Sequence, residues 1–388
     1  MQDISIFLKK VDFKNEDFLD GMLGKWINIH NVQNDLPDFD KCKIAIIGVC
    51  EDRGAILNSG SANAPNEVRS FLYKLSNSDF PNQIADLGNI ISGETINDTY
   101  FAVSEVVAEL LKRNILPIII GGSNDIAYAN YIAYKKIEQT INIAAIDSKF
   151  DIGEADGPIN SQTYLSQIIL SQPNYLFNYS NIAYQSYFVS KIELELIEKL
   201  YFDAHRLGIV RSNMADIEPV IRNADMIAFD ISSVRQADAA GAEHASPNGL
   251  YGEEACQLMR YAGMSDKLTS IGIYEINPSF DFRNQTSHLA AQMIWYFLDG
   301  YFSRKGDYPI ADKSEYTKFR VMLKKNKYEL IFYKSNKSDR WWMDVPYPPD
   351  KTFKFERHQF VPCTYNDYLT ACNDEMPDRW WNTYQKLM

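Results

Sequence analysis

The sequence predicts an α/β protein with three α/β/α layers on a mostly parallel central sheet, plus an aromatic-rich C-terminal extension. Two observations predict it. From about residue 41 to 305, short β-rich apolar runs alternate with helical patterns, the rhythm of parallel strands joined by crossover helices. Polar clusters recur where several of the apolar runs stop, and ligands bind beyond the carboxyl ends of strands in such sheets.

The elements follow in order. KIAIIGV (43–49) is a buried strand bounded by charge and Gly54. NAPNEVRSFLYKL (63–75) is a helix, with Asn63 or Asn66 as N-cap and Pro65 in its first turn. QIADLG (83–88), ILPIIIGG (115–122), INIAAID (141–147), ADMIAFDI (224–231) and LTSIGIYEIN (268–277) are further strands. TYFAVSEVVAELLKRN (99–114) and GEEACQLMRYAGMS (252–265) are helices between them. Residues 1–40 form an N-terminal segment, 41–305 the α/β domain and 306–388 the extension. In the extension, SEYTKFRVMLKKNKYELIFYKS (314–335) reads as a helix then a strand, and 341–362 is rich in proline and aromatic residues. The string Asp339-Arg340-Trp341-Trp342 recurs as Asp378-Arg379-Trp380-Trp381 and holds four of the six tryptophans. These residues either pack the tail onto the body or form a surface for a protein partner, since Trp and Arg are favoured interface anchors.

A formal charge of −12 argues against nucleic acid or anionic membrane as partners, because both carry phosphate. No apolar run reaches the roughly 18 residues of a membrane span, and the N-terminus lacks a signal-peptide core. Five cysteines, none spaced C-x-x-C, read as reduced structural thiols of a cytoplasmic protein.

Three strand-end clusters carry the candidate chemistry: Gly121-Gly122-Ser123-Asn124-Asp125, Asp147-Ser148-Lys149-Phe150-Asp151, and Asp230-Ile231-Ser232-Ser233. Aspartates at neighbouring strand ends crowd negative charge into one crevice, which calls for a metal, a lysine or a proton. Glu275, ending another strand, joins the same crevice. The glycine pair of GGSND is a tight turn rather than a phosphate loop, because no Lys-Ser/Thr follows it.

In order, spacing and flanking residues these segments resemble the ureohydrolase (arginase, agmatinase, formimidoylglutamase) family. GGSND (121–125) stands for its G-G-D-H-S, DSKFD (147–151) for D-A-H-x-D, and AFDISSVRQ running on to Asn-Gly-Leu for its third motif. EINPSFDFRNQTSHLAA (275–291) stands for E-V-N-P and the helix after it. NSGSANAPNEVR (58–69) and ADLGNI (85–90) match upstream segments, and NSQTYLSQI (160–168) is closest to formimidoylglutamases. The resemblance spans roughly residues 40–303. It implies the arginase-like fold and a site where the family holds two manganese ions, through two histidines and four aspartates, to hydrolyse a guanidine or amidine.

The departures matter as much. Asp147, Asp151 and Asp230 are retained, but Asn124 and Lys149 replace the two histidines, Ser232 an aspartate, and Arg235 a later one. One position keeps Asp147, Asp151 and Asp230, with Asn124 as a neutral oxygen ligand for Mn²⁺ or Mg²⁺. The other gains the Lys149 ammonium, expected to neutralise the aspartates in place of a metal. The expected cofactor is therefore none, or a single Mn or Mg ion. Glu275 stands where the family binds the amidine end, and is expected either to bind a cation or to pair with Arg235 or Lys149. Asn124, Lys149, Ser232, Arg235 and His244, the last in a loop at the site's mouth, are candidate ligand-binding residues. Asp147, Asp230 and Glu275 are the catalytic candidates if the chain is active. His288 reads as a packed or capping residue, and Arg53 and Arg69 either face a substrate carboxylate or lie at the surface, the surface being preferred. Replacement of both histidines favours a pseudoenzyme, a ligand- or protein-binding module. The alternative is a formimidoylglutamase-like hydrolase of linear amidines, working with one metal or none. The resemblance also implies a homo-oligomer.

Overall fold

The computed structural model describes residues 4–154, 157–309, 314–323, 328–348 and 356–388. A nine-stranded sheet forms the body. In chain order its strands are β1 (Asn28–Ile29), β2 (Ile44–Cys50), β3 (Ile84–Ile91), β4 (Leu116–Ile120), β5 (Ile141–Ile146), β6 (Leu176–Tyr184), β7 (Asp203–Arg206), β8 (Met226–Asp230) and β9 (Ser270–Tyr274). Their spatial order is β1-β3-β2-β4-β9-β8-β5-β6-β7, and every neighbouring pair is parallel.

Side chains alternate across the sheet, so each strand feeds two cores. On β2, Ile44 and Ile46 join one cluster with helices α1 (Ala64–Leu72), α6 (Gly252–Gly263) and α7 (Gln285–Phe302). Ala45, Ile47 and Val49 join the other, with α2 (Ile96–Lys112), α3 (Ile126–Lys136) and α4 (Tyr164–Leu170). The three predicted layers are present. Another helix, α5 (Lys191–Lys199), precedes the edge strand β7.

Several local expectations needed correction. Asn63 precedes α1 but makes no side-chain cap, while Pro65 does sit in the first turn. The helix expected at 99–114 starts earlier, because Thr95 and Asp98 form a capping box that sets its first turn. Arg69 is not a surface residue. It is fully buried, with Nε and Nη2 on the two Asp86 carboxylate oxygens at 2.8 and 2.9 Å. That bidentate pair and the Tyr73 hydroxyl on Asp86 at 2.7 Å tie α1 to β3. Arg53 is partly exposed and grips Glu51.

The extension is a second, antiparallel sheet: β10 (Tyr316–Leu323), β11 (Tyr328–Ser335), β12 (Trp341–Asp344) and β13 (Phe360–Cys363), in that order. The helix expected at the start of 314–335 is a strand instead. Tyr, Thr, Phe and Val favour a pleated surface, and β10 pairs residue for residue with β11 from Tyr316–Ser335 to Leu323–Tyr328. Positions 324–327 of that segment, and 349–355 of the proline- and aromatic-rich stretch, lie outside the described residues. Helices α8 (Tyr365–Cys372) and α9 (Asp378–Leu387) pack beside the sheet.

Cationic side chains join the extension to the body. Arg357 Nη2 meets the buried carboxylate of Asp225 at 2.6 Å, and Arg379 Nη2 donates to the Asp216 carbonyl at 2.8 Å. From the body, Arg222 lies 4.4 Å from the Trp342 ring centroid. Trp341, Trp342 and Trp380 are buried, and Trp381 is 42% exposed. Packing is thus the role of three of the four repeated tryptophans. Among the described residues no helix is long and apolar enough to cross a membrane. All five cysteines are free thiols.

Candidate metal centre and substrate crevice

Four adjacent strands, β4, β9, β8 and β5, deliver the candidate residues to one end of the sheet. After β4, Gly121 and Gly122 take φ of +82° and +77°, a region that disfavours side chains. A Cβ at Gly122 would also come within 2.8 Å of the Glu51 carbonyl oxygen. That turn presents the Asn124 backbone N–H to Glu275 Oε1 at 2.7 Å.

After β5 and β8, two aspartates are oriented in the same way. The Lys149 backbone N–H donates to Asp147 Oδ1 at 2.9 Å, and the Ser232 backbone N–H to Asp230 Oδ1 at 2.7 Å. Such i to i+2 bonds are the usual habit of aspartate in turns. Asp151 completes the group with φ +53°, a region more open to Asp and Asn than to most side chains. Each of Asp147, Asp151 and Asp230 offers one oxygen lying within 4.8 Å of the others, and all three are buried.

Burial and mutual repulsion hold protons on these acids. Burial, then the charges of Asp151 and Asp230, pushes Asp147 well above the usual carboxylate range. Burial and the charge of Asp230 push Asp151 up to about 8. Burial raises Asp230 as well, against the opposing hydrogen bonds from Ser232. Glu275 is pushed up to about 8 by burial and by Asp230. It sits at φ +65°, an uncommon backbone for glutamate. Its Oε2 accepts from Asn58 Nδ2 at 2.7 Å. The expected pairing of Glu275 with Arg235 or Lys149 is therefore corrected: neutral amides hold it.

Asn124 joins the cluster as expected. Its Nδ2 donates to Asp151 Oδ2 at 2.9 Å and approaches Asp147 Oδ2 at 3.5 Å, while its buried Oδ1 has no hydrogen-bond partner. Turning the amide over would present that orphaned oxygen to the same space. Three carboxylates and an amide oxygen suit one hard divalent ion.

Lys149 departs from expectation. Among the described residues no ion pair joins it to the aspartates; its Nζ lies 5.8 Å from the Phe188 ring centroid. Its charge lowers Asp151 and Asp230 through space only. The lysine is anchored at the rim because Asn181 Nδ2 donates to its carbonyl at 2.6 Å. Arg235 is drawn away from the crevice: its guanidinium forks the Asp238 carboxylate at 2.8 and 3.0 Å and stacks on Tyr251. Ser232 is buried beside Asp230. His244 is half-buried, its Nε2 3.2 Å from the Ile56 carbonyl and 3.1 Å from Gln162 Nε2, so it ties two loops together. His288 stacks on Phe71 with centroids 4.9 Å apart.

Asn58 is the site residue that the sequence reading left without a role. Its Nδ2 also reaches the Glu275 carbonyl at 2.9 Å, and its Oδ1 accepts from the Glu243 backbone at 3.1 Å. The signal was there, as the first residue of the NSGSANAPNEVR segment.

The parallel sheet, and an acid cluster at its carboxyl end, define the class: the sequence profile of the Arginase family matches residues 42–299, and the chain belongs to that family. Formimidoylglutamases are among its relatives. It is 28% identical over 285 residues to the formimidoylglutamase of Staphylococcus haemolyticus (strain JCSC1435), covering 71% of this chain and 90% of that one. Among solved structures it resembles the formimidoylglutamase of Bacillus subtilis subsp. subtilis str. 168, with TM-score 0.65 and 22% identity over 78% of this chain and 98% of that one. The formiminoglutamase of Trypanosoma cruzi, solved with Mn²⁺, gives TM-score 0.63 and 21% identity over 69% and 96%.

Proposed function

We propose that this chain hydrolyses a carbon–nitrogen bond of a linear amidine, in the manner of its formimidoylglutamase relatives, with a single divalent ion. This reverses the preference for a non-catalytic module that the replaced histidines suggested. The observation that carries it is the convergence of Asp147, Asp151 and Asp230, each with an oxygen within 4.8 Å of the others. Without a cation those buried acids retain protons, and an ion that displaces the protons removes the repulsion. Asp147, Asp151, Asp230 and Asn124 Oδ1 would hold such an ion, which when bound would supply Lewis acidity and a hydroxide-like nucleophile from water near neutral pH.

The chain's own residues do the rest. Glu275, fixed through both carboxylate oxygens by Asn124 and Asn58, receives the amidinium, whose positive charge favours the ionised carboxylate against the burial and the Asp230 charge that raise it. Burial of the crevice strengthens that pairing by lowering the local dielectric. The Asn124 backbone and Asn58 keep the carboxylate from turning, so the amidine carbon is held near the aspartates rather than merely bound.

A specific observation favours the second reading, a binding module without turnover. In the motif positions where the family carries a metal histidine and a metal aspartate the chain has Lys149 and Ser232, and the Lys149 ammonium is turned to the Phe188 ring. Assays of N-formimidoyl-L-glutamate, arginine and agmatine with added Mn²⁺ separate the readings. Turnover of the first, abolished by Asp230→Ala, is the expected result, and no turnover of any amidine would leave the binding module.

A further inference from the structure

The extension roofs a cavity of about 420 Å³ at the end of the main sheet opposite the acid cluster. Its floor comes from three strands: Asn142 on β5, Phe177 and Asn178 on β6, and Asp203 and His205 on β7. Asn142 stands five residues before Asp147, about 17 Å of extended chain at ~3.3 Å per residue. The cavity is therefore separate from the crevice. Its roof includes His358, just before β13, and Glu375, Asp378 and Lys386 in and before α9. The Arginase-family match ends at residue 299, so all four roof residues lie beyond it.

The lining is polar and incompletely satisfied. His358 is 2% exposed and stacks on Phe177 with ring centroids 4.1 Å apart. Among the described residues neither of its ring nitrogens has a hydrogen-bond partner. Burial, then the charges of Lys267 and Arg357, holds this imidazole well below its usual range, and the Thr140 carbonyl, outside hydrogen-bonding geometry, opposes that only in part. The neutral ring offers one donor and one acceptor. Asn142 Oδ1 and His205 Nε2 are likewise buried without partners among the described residues. Buried polar atoms left in this state are exceptions that call for an explanation.

Charge in the cavity is arranged by depth. Lys386 Nζ donates to Asn178 Oδ1, and among the described residues it forms no ion pair. Burial brings its ammonium down to about 8, so it stays charged at neutral pH. The nearby Asp203 carboxylate already accepts from Asn178 and Ser180. A desolvated ammonium without a contacting carboxylate suits an incoming one. At the mouth the sign reverses: Glu375 and Asp378 are exposed, and among the described residues neither forms an ion pair.

We propose that this seam cavity is a second ligand site, for a free α-amino acid with a polar, uncharged side chain, its carboxylate on Lys386 and its ammonium toward Glu375 and Asp378. Asn142 Oδ1, His205 Nε2 and the His358 ring then find partners in a carboxamide side chain, which has both donors and acceptors. A phosphate dianion fits less well, because Asp203 and the acidic mouth repel its second charge. With its floor in the body and its roof in the extension, the site lets the ligand clamp one to the other.

Calorimetric titration of the full chain with L-glutamine and L-asparagine tests the site without requiring turnover. Binding of at least one is expected, together with slower proteolytic cleavage within residues 306–388 when it is bound. Affinity should fall at least tenfold in Lys386→Met and in His358→Phe, which lose charge-assisted or buried hydrogen bonds. It should fall about threefold in Glu375→Gln, an exposed ion pair, and stay unchanged in Asp230→Ala, whose change lies in the crevice. Glu375 is exposed, so its variant keeps the fold if the other two do not. Failure of both amino acids to bind, or affinity unchanged in whichever cavity variants fold, would overturn the site. Loss of binding in Asp230→Ala, or equally tight binding of inorganic phosphate, would overturn it as well.

Discussion

Asp151→Asn should stabilise the metal-free protein at neutral pH, although it removes a residue of the proposed ion site. The sign follows from the raised pKa. A carboxyl that holds its proton more tightly in the fold than in the unfolded chain contributes stability at low pH, and loses it as pH rises through the folded value. For Asp151 that interval runs from 3.8 to about 8. At ~1.4 kcal/mol per pH unit, about 4 kcal/mol has been lost by pH 7. This is an upper bound, because Asp147 and Asp230 share the same repulsion. Asparagine removes the charge, tolerates the φ of +53°, and keeps an oxygen to accept from Asn124 Nδ2. Urea denaturation in EDTA at pH 5 and pH 7.5 measures the effect. The variant should exceed the wild type by about 2–4 kcal/mol at pH 7.5, with a much smaller difference at pH 5. Saturating Mn²⁺ should reverse the order at pH 7.5. A variant less stable than wild type in EDTA at pH 7.5, or an equal difference at both pH values, would refute the reasoning.

Arg69→Met leaves Asp86 buried without its partner and should cost about 3–5 kcal/mol, read as a lower urea midpoint. Arg357→Met uncovers the buried Asp225 carboxylate at the seam between body and extension. Arg357 is 40% exposed and Lys267 Nζ stays 3.9 Å from Asp225, so the loss should be about 1–2 kcal/mol, with faster proteolytic cleavage within residues 306–388. Lys149→His with Ser232→Asp restores two ligand types of the family's second ion position. Metal analysis of that double variant should find two manganese ions per chain, against one in the wild type.

The sheet was legible where strands are mostly apolar. β2, β4, β5, β8 and β9 are buried throughout or nearly so, and unbroken apolar runs marked them. β6 was missed because Asn178, Ser180 and Asn181 interrupt it. Two of them are buried polar groups satisfied inside the fold: Asn178 Nδ2 and Ser180 Oγ both donate to Asp203 at 2.9 Å. Nothing local in the sequence announces that partnership across 25 residues. β7 is three half-exposed residues and the exposed Arg206 at the sheet's edge, with no hydrophobic period to find.

The site divided in the same way. Asp147, Asp151, Asp230 and Glu275 were legible because a strand end fixes where its next residues lie. The direction of Lys149 was not, since it depends on Phe188, which arrives from the chain after β6. Arg235 was assigned to the crevice by its order in the motif, but Asp238 three residues on captures it, a local pairing that outcompetes a distant one. Asn58 belonged to a recognised segment, and its role emerged only when the chain brought it to Glu275, 217 positions away.

The proposed single-ion hydrolase site, built on three aspartates, is open to direct measurement. Purified protein loaded with Mn²⁺ and freed of excess metal should contain one ion per chain. That sample should release glutamate from N-formimidoyl-L-glutamate, and both the ion and the activity should be lost in Asp230→Ala. A chain that binds no ion and releases no glutamate would contradict it.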